Sequence, residues 1–194
     1  KVVGKIRQRL FRGYFRLRSN IHVHHWRGHG IHSPFMYGIV RNVFMKSRVV
    51  GPDRRLYEVL RRDGIEQKQA VKIQNLYTHC RMNGFQTIAS GECLNRIAPD
   101  QLCILLPGTS LETIATTARR VSECHATLIL LSPHRNARCW RFAQQIWRHY
   151  PCVSVDRRVM VLYFFSSKFN HNITESKKLH GDESVHENRR SGNH

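Results

Sequence analysis

The sequence predicts an α/β fold in which about five strands form one sheet, preceded by a basic helical region. After residue 83, short apolar segments alternate with amphipathic ones. Two of the apolar segments, Leu102–Leu106 and Ala126–Leu131, are uninterrupted, as in parallel strands buried on both faces. The last two apolar segments of the chain, Cys152–Val155 and Val159–Phe165, are joined through Asp156, Arg157 and Arg158, as in an antiparallel hairpin. This order is typical of the second half of a doubly wound sheet with an antiparallel edge.

Residues 1–82 are predicted to form a basic N-terminal helical region. Apolar side chains recur every three or four residues over Lys1–Arg18, with arginines at most other positions. Ser33 and Pro34 suit the N-cap and first position of a helix whose buried face holds Phe35, Ile39, Val40, Val43 and Phe44. Two more helices are expected, over Arg54–Arg62 and over Gln67–Met82.

Residues 83–165 are predicted to form the α/β half-domain. The five expected strands are Phe85–Ala89, Leu102–Leu106, Ala126–Leu131, Cys152–Val155 and Val159–Phe165. Thr109-Ser110-Leu111-Glu112 has the spacing of a capping box and predicts a helix between the second and third strands. Another amphipathic helix is expected over Arg135–Tyr150. Residues 166–194 are polar and aperiodic, so a disordered tail is expected there.

Histidines and cysteines do not have the spacing of a metal site. Five histidines fall in Asn20–His32, but no acidic residue accompanies them, so surface or phosphate-contacting roles are favoured over metal binding. The six cysteines are ten or more residues apart and several lie in apolar segments. We therefore expect no metal, and reduced thiols in a cytoplasmic protein.

Charge is the feature that bears most directly on function. The chain carries 32 Lys and Arg against 13 Asp and Glu, a net charge of +19. Lys1–Arg62 holds 15 basic and 2 acidic residues, a net charge of +13. This asymmetry predicts a polyanionic partner, because each neutralised phosphate releases counterions. The expected nucleic-acid contacts are Arg7, Arg9, Arg12, Arg16, Arg18 and Arg27.

A membrane-bound state is not favoured. The mean hydropathy is −0.46, and the longest strongly apolar stretch, Val159–Phe165, has only the length of a strand, so no transmembrane helix is predicted. The basic N-terminal helix is also compatible with an anionic membrane surface, which is the less favoured interpretation of it.

Two segments resemble a known family. His29-Gly30-Ile31-His32-Ser33-Pro34-Phe35 resembles the HG(I/V)HSPF signature of a bacterial group of class I S-adenosylmethionine-dependent methyltransferases. Val153–Asp156 and Tyr163–Phe165 are similar to that family's closing hairpin, with Val161 where the family has glycine, and Trp140 matches a tryptophan of its last long helix. The resemblance implies a truncated, Rossmann-like methyltransferase sheet.

The middle of the chain departs from that family. Family members have a glycine-rich E-x-G-x-x-x-G turn for the methionine moiety and a later acidic residue for the ribose hydroxyls. Gly91, Glu92 and Gly108 are the weak counterparts in this chain. Carboxylates that follow the fourth and fifth strands in relatives are absent from Leu106–Ser110 and Leu131–His134. His134 has the chemistry of a base, but a helix-cap or surface role is expected for it.

Three functions are compatible with this sequence. The leading hypothesis is a catalytically inactive, methyltransferase-like protein that binds RNA or a ribonucleoprotein through its basic N-terminal region, without a cofactor. The first alternative is a divergent active methyltransferase, which would use S-adenosylmethionine. The second is a structural or assembly protein that binds another protein or an anionic membrane surface.

Overall fold

A five-stranded mixed sheet lies between two layers of helices in the computed structural model, which describes residues 34–91, 96–157 and 159–166. The helices are α1 (Pro34–Ile39), α2 (Arg55–Arg62), α3 (Gln67–His79), α4 (Leu111–Glu123) and α5 (Ala137–His149). The strands are β1 (Phe85–Ile88), β2 (Leu102–Leu105), β3 (Thr127–Leu131), β4 (Val153–Arg157) and β5 (Met160–Phe164). The predicted α/β fold with N-terminal helices is therefore confirmed, while the helix over Lys1–Arg18, the histidine loop and all of the polar tail after Ser166 lie outside the described residues.

The strand order is β1-β2-β3-β5-β4. β1, β2 and β3 are parallel, whereas β5 runs antiparallel to both β3 and β4. The predicted antiparallel pairing of the last two strands is thus confirmed. β4 extends one residue beyond Asp156, because Arg157 still pairs with Met160, so the connection is shorter than the sequence predicts.

Alternating residues of the strands face the two helical layers. Ile129 of β3 and Leu162 of β5 belong to the core shared with α1–α3. Leu128, Leu130 and Tyr163 belong to the core shared with α4 and α5. Both faces of β2, β3 and β5 are buried, which is why their sequences are continuously apolar.

Several helix boundaries differ from the sequence prediction. After α1, the chain continues as a π-helical turn over Val40–Phe44, although the predicted burial of Ile39, Val40, Val43 and Phe44 is confirmed. α3 ends at His79 rather than Met82, since Arg81 adopts a positive φ of 51°.

No helix in the described part of the chain has the length and apolar character needed to cross a membrane.

The predicted capping box is wrong by one residue. Ser110, not Thr109, is the N-cap of α4, and its hydroxyl accepts a hydrogen bond from the Thr113 amide at 3.1 Å. The Thr109 hydroxyl instead donates to the Leu106 carbonyl oxygen at 2.7 Å. Glu112 consequently lies at the second helical position, where it cannot return the bond that a capping box requires.

Candidate functional site at the carboxyl edge of the sheet

The candidate site is the edge of the sheet where the parallel strands end, which we call the carboxyl edge. It comprises Ala89–Gly91 after β1, Leu106–Ser110 after β2 and Ser132–His134 after β3. Asp156 and Arg157 reach the same edge, because Met160 pairs with both Leu131 and Arg157. In doubly wound sheets, ligands bind outside this edge.

The two glycines predicted as weak cofactor contacts both lie in turns at this edge. Gly91 has a φ of +84° and Gly108 a φ of +95°, and a Cβ atom added to either would meet no atom within 4 Å. The backbone conformation is what requires glycine here, since L side chains rarely adopt it. At neither position would a side chain fill a narrow groove for a ligand. Glu92, the third residue predicted as a weak cofactor contact, lies outside the described residues.

The described residues do not fit S-adenosylmethionine. β1 is the last strand on its side of the sheet, so no described strand lies beyond it to carry the acidic residue that would bond the ribose. Within the described ranges, the turns that follow β1, β2 and β3 hold no carboxylate. The cofactor-binding features that the family resemblance implies are therefore missing from this part of the chain.

His134 is buried in a cluster with Asp156 and Trp140. Its side chain is 9% exposed, and its Nε2–H donates to Asp156 Oδ1 at 2.9 Å. The imidazole also packs on the Trp140 ring, with 4.0 Å between ring centroids. The expected cap or surface role is wrong, because the His134 side chain is buried and Asn136 caps α5 instead.

His134 has a structural role, because its hydrogen bond connects the turn after β3 to the last hairpin. A general base must reach the substrate proton directly or through one water. Nε2 is already bonded to Asp156, and Nδ1 is inaccessible to solvent. His134 therefore offers neither nitrogen to a ligand at the carboxyl edge in this conformation.

Asp156 is the residue that sequence reasoning missed at this site. Its side chain is 50% exposed, which makes it the accessible carboxylate that the loops after β2 and β3 lack. Its position follows from the antiparallel return of β4 and β5, which brings the end of β4 beside the end of β3. A signal was present in the sequence, because a strand that follows a crossover helix runs parallel to the strand before it, so that β4 would end at the same edge as β3.

Cations lie on the opposite face of the same edge. Neighbouring residues of a strand point to opposite faces, so Arg157 is directed away from Asp156 and towards the N-terminal helices. Its guanidinium lies 4.2 Å from the centroid of the Phe44 ring, and burial lowers the pKa of Arg157. Burial, followed by the charge of Arg157, also lowers the pKa of Lys72. This face of the edge is therefore compatible with an anion rather than with a cation.

Two thiols in or beside the strands of the sheet, Cys103 and Cys152, are poor nucleophiles. Burial raises the pKa of Cys103 to about 12 and that of Cys152 to about 11. Both stay protonated near neutral pH, where nucleophilic attack requires a thiolate. In the described ranges, no three His, Cys, Asp or Glu side chains come together as a group that would hold a metal ion.

The arginines predicted to contact nucleic acid all lie outside the described residues. They are Arg7, Arg9, Arg12, Arg16, Arg18 and Arg27.

The comparisons with known proteins add no identification, because no family model, no curated protein and no solved structure matches this chain.

Proposed function

We propose that this protein is a methyltransferase-like protein without methyl-transfer activity, which binds RNA or a ribonucleoprotein through its basic N-terminal region. The observation that carries the proposal is the distribution of charge: Lys1–Arg62 accounts for +13 of the net +19. A segment of this kind attracts phosphates at long range and gains free energy by releasing their counterions.

The described part of the chain also has an excess of positive charge. Its three ranges contain 18 Lys and Arg and 8 Asp and Glu. The partly buried Arg157 and Lys72 add positive charge beside the carboxyl edge. A polyanion is thus attracted to the folded body as well as to the N-terminal region.

The loss of catalysis is supported by the place of β1 in the sheet. In doubly wound sheets of order 3-2-1-4-5-6, the first strand is central and the dinucleotide crosses the point beside it. Here β1 ends the sheet, as expected if the half that carries strands 2 and 3 were missing. The bonded state of His134 supports the same conclusion, because among the described residues it withholds this imidazole at the edge from reaction with a ligand.

A divergent active methyltransferase is the second candidate, and Asp156 favours it. This half-exposed carboxylate at the carboxyl edge could orient a substrate nucleophile. Methyl transfer depends mainly on the positioning of the two reactants, so a single orienting group can suffice. The two candidates differ in whether S-adenosylmethionine binds.

Titration calorimetry with S-adenosylmethionine tests the loss of catalysis. We expect no saturable binding at micromolar concentration, because the described residues lack both the ribose-binding carboxylate and a glycine-rich cradle. Saturable binding that is abolished by Gly91→Val or Gly108→Val would instead establish the active methyltransferase.

RNA binding is tested by Arg12→Ala, Arg16→Ala and Arg18→Ala together. Each phosphate contact on a single strand contributes roughly −0.7 to the slope of log affinity against log salt, so the slope should flatten by about two to three units. A matched control removes three exposed cations elsewhere, by Lys68→Ala, Arg81→Ala and Arg96→Ala. Equal losses in the two triple variants, or no loss in the first, would exclude the N-terminal region as the binding site.

A further inference from the structure

A stripe of arginines runs along the outer side of α5. Arg138, Arg141 and Arg148 are all exposed, and their spacing of three and seven residues places them on one side of the helix. We call these three residues the arginine stripe. With a rise of 1.5 Å per residue, the stripe is about 15 Å long. The helix contains no acidic residue to neutralise it.

The orientation of the stripe is fixed by the opposite side of α5. Ala143 and Ile146 are buried against the sheet. The buried Tyr163 hydroxyl of β5 donates a hydrogen bond to the Ala143 carbonyl oxygen at 2.8 Å. The arginine stripe therefore faces away from the sheet on a helix that cannot easily rotate.

Helix stability explains only Arg148, which lies in the last turn, where the helix dipole favours a cation. Arg138 lies in the first turn, where the helix dipole disfavours a cation, and Arg138 and Arg141 are like charges three residues apart. Among the described residues, none of the three stripe arginines forms an ion pair with a carboxylate. Three unneutralised cations in a fixed line are the complement of a line of negative charges.

An aromatic ring lies beside Arg148, at the C-terminal end of the stripe. Trp147 is 48% exposed, and the Arg148 guanidinium lies 5.4 Å from the centroid of its ring. Proteins that bind single-stranded nucleic acid combine cations that follow the backbone with aromatic rings on which bases stack. The neighbouring exposed side chains Gln145 and His149 are polar. This surface accordingly lacks the broad apolar side by which an interfacial helix enters a membrane.

We propose that the arginine stripe and Trp147 form a second RNA-binding surface, on which the arginines contact successive phosphates and Trp147 stacks on an unpaired base. This inference rests on RNA as the partner in the proposed function, but it assigns a contact to a separate surface. Charge complementarity and the exposed ring together favour single-stranded RNA.

The test uses the full chain and a fluorescein-labelled polyuridine 20-mer, with binding followed by fluorescence anisotropy across a salt series. Arg138→Gln, Arg141→Gln and Arg148→Gln together should weaken binding at least tenfold and flatten the salt slope by about two units. Trp147→Ala should weaken binding about tenfold and leave the slope unchanged, because stacking releases no counterions. Glutamine keeps the helix propensity of arginine, so α5 should stay intact.

Lys68→Gln, Arg81→Gln and Arg96→Gln provide the matched control, with the same loss of charge at exposed positions away from α5. Unchanged affinity and slope in the stripe variant, or an equal effect of the control, would overturn the inference. If the stripe variant binds normally and the N-terminal triple variant does not, the proposed function stands without the second surface. If only the stripe variant loses binding, the second surface stands and the N-terminal assignment fails. Absence of RNA binding by the unmodified chain would overturn both.

Discussion

Helices α4 and α5 pack on the same face of the sheet, yet their charges are arranged differently. α4 has Glu112 in its first turn and Arg120 in its last, as the helix dipole favours. α5 has Arg138 in its first turn and no acidic residue at all. Glu112 and Arg120 of α4 can thus be explained by the stability of the helix itself, and so can Arg148 in the last turn of α5. Arg138 and Arg141 of α5 require another reason, which the proposed contact with RNA supplies.

The buried sides of the two helices show no such difference. Ile114 and Ala118 of α4 and Ala143 and Ile146 of α5 all contribute to one hydrophobic core. Both helices also begin with a side-chain cap, from Ser110 in α4 and Asn136 in α5. The contrast is therefore confined to the exposed sides.

The largest expected effect tests whether the two helices are held equally. Ile114→Ala and Ile146→Ala should each lower the free energy of unfolding by about 2–5 kcal/mol, since both remove a fully buried side chain and leave a cavity. Urea denaturation followed by circular dichroism measures both values. The corresponding valine variants should cost only about 0.5–1.5 kcal/mol. A negligible loss for Ile146→Ala would mean that α5 is not anchored, and the fixed direction of the arginine stripe would be wrong.

The caps are expected to have an intermediate effect. Ser110→Ala and Asn136→Ala should each cost about 1 kcal/mol, because each leaves a helix amide without its side-chain acceptor. The same denaturation experiment compares them with Ser110→Asp and Asn136→Asp, which keep an acceptor oxygen and should retain stability. A full loss in the aspartate variants would show that the hydroxyl and the amide are needed for something other than capping.

The smallest expected effect has opposite signs in the two helices. Glu112→Gln should lower the free energy of unfolding by about 0.3–1 kcal/mol, whereas Arg138→Gln should raise it by a similar amount, because the dipole favours the first charge and disfavours the second. Differential scanning calorimetry at low ionic strength detects the two shifts. High salt should reduce both. Shifts of the same sign would remove the contrast between the helices.

Most of the fold could be predicted from the sequence, because its signals are local. Continuous apolar segments indicated β2 and β3, and β1 was also predicted within one residue of its observed end. The short polar connection after Val155 indicated the antiparallel pair. Helical periodicity likewise indicated the burial of Ala143 and Ile146 in α5, but it also grouped Trp147 with them, and that side chain is 48% exposed. Gly91 and Gly108 were expected in turns for the same reason, since glycine after a strand marks a backbone reversal.

The candidate site could be predicted only in part. Both glycines and the absence of carboxylates after β2 and β3 were visible in the sequence. The pairing of His134 with Asp156 was not, because 22 residues separate them and their approach depends on where the last hairpin returns. The cap of α4 was misplaced for a related reason, since the turn after β2 uses the Thr109 hydroxyl and leaves capping to Ser110.

The sequence by itself determined the order of strands and helices, the buried sides of the helices and the excess of positive charge, because each depends on neighbouring residues or on composition alone. Tertiary structure decided the rest for the described residues: that β1 ends the sheet, that Asp156 places an accessible carboxylate at the carboxyl edge, and that Trp147 stays exposed beside Arg148. The physical reason is that strand neighbours and side-chain exposure depend on which surfaces of distant segments cover one another, and no local periodicity specifies that.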